Sequence, residues 1–177
     1  MVKLSPLSPF AGLLPREVGS LRVTEVDPGP VHWIAPYRSG LEGTAEALGA
    51  AGFDWPAPNR WTGGASGRLV SVGPGQAFLV GAVPPEIPGA AVTDVSDGWA
   101  VAALEGPTVR EVLARLVPVD LSEQAFGADA TARTLVGHMS ASVTRVGEGF
   151  EVMVFRSMAG TFVEEVERAA RSVAARG

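Results

Sequence analysis

The amino-acid sequence predicts an α+β fold in which antiparallel sheets pack against a few helices. From residue 92 onward, apolar patterns follow the order strand, strand, helix, strand, strand, helix. The 22 glycines and 14 prolines separate many short apolar segments, as turns between strands do. With 177 residues, 46% of them hydrophobic, the chain can bury the core of one domain or of two small, closely packed ones.

The N-terminal elements are predicted as an arm followed by strands. Residues 1–20 contain three prolines and are expected to form an extended arm, because proline fixes φ and removes a backbone donor. Residues 21–26 alternate between apolar and polar side chains, which predicts a strand. A DPGP sequence at 27–30 turns the chain, and residues 31–35 form a second short strand.

The next segment is predicted to contain one helix and one hairpin. Residues 41–51 have helical spacing of apolar side chains, and Gly52 supplies the C-terminal stop. Residues 54–67 are expected to be a loop, and residues 68–81 a hairpin around a Gly-Pro-Gly-Gln turn. Together these elements make residues 21–90 a β-rich N-terminal half.

The second half begins with a strand pair and a helix. Residues 92–104 predict two strand pieces around a Ser-Asp-Gly turn at 96–98. Residues 99–104 are apolar at every position, so we expect that strand to be covered on both faces. Residues 106–117 predict an amphipathic helix with proline in its first turn, and Pro118 ends it.

The last elements are a hairpin and a helix. Residues 134–146 alternate over a long span and predict one continuous strand with one buried face. The residues assigned to that face are Leu135, Met139, Ala141 and Val143. Residues 150–155 form its antiparallel mate and residues 161–175 a closing helix. Residues 91–177 are thus an α+β C-terminal half, packed with the first half as one unit.

Charge and cysteine content exclude several functional classes. The formal net charge is −5, and no basic stripe of the kind that binds nucleic acid is present. With no cysteine, disulfides, thiolate metal sites, iron–sulfur clusters and a cysteine nucleophile are excluded. Prolines interrupt the apolar N-terminus, and every other apolar stretch is far shorter than the roughly 20 residues that span a bilayer. We therefore expect a cytoplasmic protein with no membrane partner.

The candidate chemical residues do not form a catalytic pattern in the sequence. His32 and His138 have no second histidine or carboxylate at metal-ligand spacing. His138 is predicted on the polar face of a strand, as a surface or interface residue. His32, beside Trp33, is conceivable as a general base, although no nucleophile lies near it. The GGASG sequence at 63–67 lacks the spacing of a phosphate loop or nucleophile elbow, which favours a flexible loop.

The remaining polar and aromatic candidates have structural interpretations. Asp94 and Asp97 are expected to cap backbone N–H groups of a turn. Arg156, after a buried strand, is expected to form a structural ion pair with an aspartate. The four tryptophans are expected to pack in the core or at an interface; they are Trp33, Trp55, Trp61 and Trp99.

A series of short segments in the second half carries a family signal. In chain order they are VSDG at 95–98, LEGP at 104–107, VREVLA at 109–114, PVDLS at 118–122, Phe126, TL at 134–135 and FRS at 155–157. In these segments and their order, the chain resembles the gamma subunit of heterotetrameric sarcosine oxidase. The resemblance implies a shortened form of the folate-binding fold of glycine-cleavage aminomethyltransferases.

The resemblance also implies a function. It implies a non-catalytic small subunit that assembles with alpha, beta and delta subunits into a flavoenzyme. Such complexes oxidatively demethylate sarcosine to glycine, transferring the one-carbon unit to tetrahydrofolate and electrons to oxygen. FAD, FMN, NAD, tetrahydrofolate and zinc are implied in the partner subunits, and no catalytic, cofactor-binding or metal-binding residue is assigned to this chain.

Two other functions remain open. A freestanding folate-binding protein of the aminomethyltransferase type would need a pocket with an acidic residue, for which Asp97 or Asp120 could serve. An independent hydrolase or isomerase would need an acid–base pair, which the sequence does not show. The subunit hypothesis predicts an exposed apolar patch, with the tryptophan-bearing loops at 55–61 and the N-terminal arm as candidates.

Overall fold

A computed structural model describes residues 7–64 and 66–176, which form eleven strands and three α-helices. The strands are β1 (Arg16–Val18), β2 (Leu21–Val26), β3 (Val31–Pro36), β4 (Trp61–Gly64), β5 (Gly67–Gly73), β6 (Gln76–Val80), β7 (Ala90–Asp94), β8 (Trp99–Glu105), β9 (Thr131–Val136), β10 (Met139–Val146) and β11 (Gly149–Phe155). The helices are α1 (Leu41–Ala50), α2 (Val109–Leu113) and α3 (Ala159–Ala174). The first six residues of the predicted arm lie outside the described residues.

The strands form two antiparallel sheets. The first sheet has six strands in the order β1-β2-β8-β11-β10-β9, and the second has five in the order β4-β5-β6-β3-β7. Every strand pairing within both sheets is antiparallel. Two antiparallel sheets with three helices confirm the predicted α+β class.

Strand β8 is buried on both faces, as its continuous apolar sequence predicts. Ala100, Ala102 and Leu104 contribute to the large core shared with α2 and α3. Trp99 and Val101, on the opposite face, belong to the core between the two sheets. The six-stranded sheet is therefore the central layer of the molecule.

The helices cover the outer faces of the two sheets. Helix α3 buries Phe162 and Val166 in the core of the six-stranded sheet. Helix α1 covers the other sheet, where Leu48 packs with Ile34 and Leu79. Helix α2 is shorter than the predicted helix over 106–117, because the chain continues after Leu113 in tighter turns.

The predicted continuous strand over 134–146 is wrong. Its residues form two strands, β9 and β10, joined by a two-residue turn at Gly137 and His138. Gly137 has a φ of +57°, a conformation that glycine adopts without strain. The alternation seemed continuous because Leu135 is apolar although it is exposed, so that it resembles a residue of the buried face. Leu135 pairs with Ser140 and so lies on the opposite face from Met139, which is buried in the core.

The predicted loop over 54–67 also contains a strand. Residues Trp61–Gly64 form β4, which pairs with β5, so Gly63, Gly64 and Gly67 of the GGASG sequence lie in strands instead of in the predicted flexible loop. Ala65 lies outside the described residues. Two glycines in a four-residue strand hide the usual strand pattern, and pairing with β5 compensates for them.

Residues 7–20 differ from an exposed extended arm. Phe10 is fully buried, and its ring centroid lies 6.1 Å from that of Phe162 in α3. Strand β1 adds to the edge of the six-stranded sheet through its pairing with β2. A single buried aromatic side chain thus anchors a proline-containing segment that has little secondary structure of its own.

None of the described helices is both long and apolar enough to cross a membrane.

Replacing Gly43 by alanine is expected to stabilise the protein. Gly43 lies in α1, and a Cβ atom there would meet no other atom within 4 Å. Alanine loses less backbone entropy on folding than glycine, so the free energy of unfolding should rise by about 0.5–1 kcal/mol. Urea unfolding followed by circular dichroism measures the change. A decrease for Gly43→Ala would contradict the open surroundings described for this position.

Candidate functional site

The structure does not bring the two histidines together. His32 lies in β3, half-buried opposite Asp94 of β7, and its Nδ1 atom is buried without a hydrogen-bond partner among the described residues. His138 is exposed in the β9–β10 turn instead of on the polar face of a strand. Within residues 7–64 and 66–176, no group of three His, Asp or Glu side chains is placed to hold a metal ion.

The predicted capping role of Asp94 is confirmed. Its Oδ1 atom accepts hydrogen bonds from the Ser96 hydroxyl at 2.6 Å and from the Ser96 N–H at 3.0 Å. Asp120 accepts in the same way from the Ser122 N–H, at 2.9 Å. In both cases these hydrogen bonds from serine lower the pKa of the carboxyl group below its ordinary value. Both carboxylates therefore stabilise local turns.

The lowered pKa of Asp94 predicts a pH dependence of stability. A carboxyl group with a lower pKa in the folded state stabilises above the unfolded pKa of 3.8 and loses that contribution as pH falls through the folded value. The difference in unfolding free energy between the wild type and Asp94→Asn should therefore shrink as pH falls below 3.8. Urea unfolding of both proteins near neutral pH and in strong acid measures it. A difference that stays constant with pH would show that the charge of Asp94 has no role in the turn.

The predicted ion pair of Arg156 with an aspartate is wrong. Its guanidinium donates to the carbonyl oxygen of Leu7, and no carboxylate of the described residues lies within ion-pair distance of it. Arg156 thereby ties the start of the described chain to the end of β11. The sequence could not indicate this contact, because a backbone carbonyl carries no residue-specific signal.

The tryptophans divide between core and surface. Trp55 and Trp61 are half-buried, and the Trp61 Nε1–H donates to the Arg145 carbonyl at 3.0 Å. Trp99 is buried between the sheets, whereas the Trp33 side chain is 40% exposed. Neither Trp55 nor Trp61 is as exposed as Trp33, so the exposed aromatic side chains lie outside the segment at 55–61.

Several exposed apolar side chains lie around the core between the two sheets, and we call them the aromatic surface. Its exposed members are Trp33 (40%), Leu135 (43%), Phe155 (45%) and Met158 (39%). A chain of ring contacts connects it: Trp33 to Phe78 at 6.5 Å, Phe78 to Trp99 at 5.3 Å, and Trp99 to Phe155 at 4.8 Å.

Strand register places two of these side chains, Leu135 and Phe155, on one face of the six-stranded sheet. Phe155 pairs with Trp99 across β11 and β8, and Leu135 pairs with Ser140 across β9 and β10. Because Ser142 pairs with Met153, Ser140 lies next to Phe155, on the same face. The row Leu135, Ser140, Phe155, Trp99 thus runs across four strands, and Phe155, next to the small Ser140, is exposed.

One cation lies over these rings. The Arg133 guanidinium carbon is 5.0 Å from the ring centroid of Trp99 and 5.9 Å from that of Phe155. Both distances are within the range of a cation–π interaction. Partial desolvation lowers the pKa of Arg133. Sequence analysis did not single out Arg133, because its contact with Trp99 depends on a strand register that no local pattern shows.

Two clefts adjoin this area. The first, of about 550 Å³, runs beside β9 and is lined in part by Asn59, Arg60, Asp120, Thr131 and Arg133; we call it the β9 cleft. The second, of about 540 Å³, is lined in part by Leu7, Asp27, Asp97, Trp99 and Arg156; we call it the Asp97 cleft. Aromatic rings, arginines and open clefts are suited to holding another molecule by packing and charge.

The two antiparallel sheets, the outer helices and the exposed aromatic surface define a small α+β domain protein. Residues 75–176, more than half of the chain, match the family model described as the GCVT N-terminal domain. The chain belongs to this family.

A solved structure supports the same assignment of fold. The chain is similar to a chain of heterotetrameric sarcosine oxidase from Corynebacterium sp. U-96 in complex with pyrrole 2-carboxylate, with a TM-score of 0.80 and 21% sequence identity. The match covers 96% of this chain and 96% of that chain. No curated protein matches the sequence with significance. The family and the shared fold confirm the fold that the resemblance in the second half of the sequence implies.

Proposed function

We propose that this protein is the small, gamma-type subunit of a cytoplasmic, heterotetrameric flavoenzyme of the sarcosine oxidase type. The match over 96% of both chains with a chain of such an oxidase carries the proposal. Because both chains are covered almost entirely, the similarity extends from the N-terminal strands to helix α3. The aromatic surface adds support, since subunits that assemble permanently expose apolar side chains when they are alone.

In this proposal the chain performs no chemistry itself. The complex oxidatively demethylates sarcosine to glycine in sarcosine catabolism, transfers the one-carbon unit to tetrahydrofolate and passes electrons to oxygen. FAD, FMN, NAD, tetrahydrofolate and zinc belong to the alpha, beta and delta partner subunits. The hydrogen bonds of Asp94 and Asp120 to neighbouring serines support structural roles for these carboxylates.

Native mass spectrometry of the tagged chain, purified gently from its own host, tests the proposal. We expect one dominant assembly in which this chain is accompanied by three other subunits, each of a different mass. A monomeric chain recovered alone under several mild conditions would contradict it. An unrelated tagged protein of the same host, purified in parallel, controls for unspecific recovery.

A second candidate function is a freestanding folate-binding protein of the aminomethyltransferase type. One observation favours it: Asp97 and Trp99 both line the Asp97 cleft, which gives a carboxylate and an aromatic ring beside an open volume. Isothermal titration of the purified chain with tetrahydrofolate tests this function. Binding that Asp97→Asn abolishes and Asp120→Asn preserves would favour it over the subunit proposal.

A further inference from the structure

The edge of the five-stranded sheet at β7 is open to a further strand. The Val95 N–H, just after β7, donates to the Val31 carbonyl of β3 at 2.9 Å. Because backbone groups alternate along a strand, those of Val92 and Asp94 point away from β3. Among the described residues they have no backbone hydrogen-bond partner on that side, so their donors and acceptors are free.

The other sheet edges that the structure describes are covered or short. Beside β9, the Thr131 N–H donates to the Asn59 carbonyl, and beside β4 the Trp61 N–H donates to the Asp129 carbonyl. Strand β1 has only three residues. Strand β7 has five, without a lysine, a proline or a bulge, which are the devices that keep an edge strand from pairing.

The side chains of β7 are accessible as well. Helix α1 lies over β3 and β6, where Leu48 packs with Ile34 and Leu79, and it leaves most of β7 uncovered. Residues 91–94 are all exposed, and the Val92 side chain is 39% exposed. A strand added at this edge would therefore bury an apolar side chain together with the free backbone groups.

The symmetry of this edge matches a second copy of the same chain. The chain runs beside β3 from Gly89, whose carbonyl accepts a hydrogen bond from the residue after β3, to Val95. Val92 is the centre of this span, so a two-fold axis at Val92 opposes the whole span to itself. The side chains that then lie opposite each other are small: Val92 meets its own equivalent, and Ala91 meets Thr93.

The charges near the edge agree with this arrangement. Asp94 is the only charged residue between positions 89 and 95, and the two-fold axis places it opposite Ala90 of the second copy. Near the Ala90 end, Arg38 follows β3 and Glu86 precedes β7, and neither forms an ion pair among the described residues. Asp94 of the second copy thus approaches one charge of each sign, and no like charges are directly opposed.

We propose that β7 pairs with β7 of a second copy of this chain, antiparallel and around a two-fold axis at Val92. The inference goes beyond the proposed function and does not depend on it. Each Val92 N–H donates to the Val92 carbonyl of the other copy, and each Asp94 N–H donates to the Ala90 carbonyl of the other copy. The two five-stranded sheets then form one continuous antiparallel sheet. Since the contact is confined to one strand edge, we expect it to bury less than the roughly 1,200 Å² of a stable interface and to dissociate on dilution.

Sedimentation velocity of the isolated chain over a concentration series tests the pairing. We expect the dimer fraction of the wild type to rise with concentration. Val92→Lys opposes two ammonium groups at the axis and should weaken dimerisation at least about tenfold. Val92→Pro removes an N–H that has no partner in the single copy, and it should weaken dimerisation as well. Ala114→Lys adds the same charge at an exposed position after α2 and should dimerise like the wild type. Circular dichroism of each variant confirms that it is folded.

Hydrogen exchange locates the contact without a substitution. The amides of Val92 and Asp94 should exchange more slowly at high than at low protein concentration, because carbonyl groups of the second copy accept their hydrogen bonds. The Thr93 amide is the internal control, since it points toward β3 and is already paired in the single copy.

The outcomes separate this inference from the proposed function. A wild-type chain that stays monomeric, or a dimer that Val92→Lys and Val92→Pro leave intact, would overturn the inference and leave the proposed function unaffected. Protection of the Val92 and Asp94 amides only when flavin-bearing chains are bound would identify a partner subunit as the occupant and would also overturn it. If dimers form through β7 but the tagged chain recovers no flavin-bearing chain, the proposed function fails and the inference stands.

Discussion

Replacing Gly106 by alanine is expected to lower the free energy of unfolding by about 3–5 kcal/mol. Gly106 joins β8 to α2 with a φ of +120°, a region that side-chain-bearing residues rarely adopt. A Cβ atom there would overlap the carbonyl oxygen of Ser20 in the β1–β2 turn. Both effects act on backbone, which cannot move aside as a flexible side chain can.

Gly98→Ala is the matched control for this substitution. Gly98 closes the short turn before β8, and a Cβ atom there would meet no other atom within 4 Å. Chemical denaturation measures the free energy of unfolding of both variants and of the wild type. We expect Gly98→Ala to change the stability by less than about 1 kcal/mol. Equal stability of Gly106→Ala and Gly98→Ala would contradict the close contact between β8 and the first hairpin.

Replacing Glu151 by alanine is the second substitution with a large expected effect. Glu151 of β11 pairs with Arg68 of β5, and this ion pair connects the two sheets. The side chains are only 13% and 17% exposed, so loss of the carboxylate leaves a guanidinium largely buried and unpaired. A loss of about 3–5 kcal/mol in the free energy of unfolding is expected.

Two further variants show whether the loss of stability comes from an unpaired buried charge or from the loss of any ion pair. The double variant Arg68→Met/Glu151→Met removes both charges and should recover most of the stability, because no unpaired charge stays buried. Glu165→Ala breaks an ion pair with the exposed Arg168 on α3 and should cost about 1 kcal/mol or less. Thermal and chemical unfolding measure the free energy of unfolding of these two variants, of Glu151→Ala and of the wild type. If Glu151→Ala were as mild as Glu165→Ala, the inter-sheet pair would have no structural importance.

Strong local patterns explain the elements that the sequence predicts well. Strand β2 has the predicted bounds because its alternation ends at a DPGP turn. Strand β8 is buried on both faces because it has no polar position before Glu105. Helix α3 begins two residues before the predicted start, where a short turn over Arg156–Met158 leads into it. Each of these signals lies within a few residues along the chain.

The candidate site is less predictable, because it depends on register. Treating β9 and β10 as one strand places Leu135 among the buried residues, although it lies on the aromatic surface. Arg133 carries no motif, and only pairing across four strands brings it over Trp99 and Phe155. Phe10 illustrates the same limit, since nothing near it in the sequence indicates its contact with Phe162. Long-range pairing is the information that local patterns lack.

The visible spectrum of the purified tagged chain, recorded without oxygen before and after addition of sarcosine, tests the central proposal most directly. As part of a sarcosine oxidase-type complex, the preparation should be yellow, and sarcosine should bleach its flavin bands because electrons leave the N-methyl group for the flavin. Glycine, which lacks the methyl group, is the matched control and should leave the spectrum unchanged. A colourless preparation, or flavin bands that sarcosine and other N-methyl amines leave unchanged, would contradict the assignment of this chain to such an oxidase.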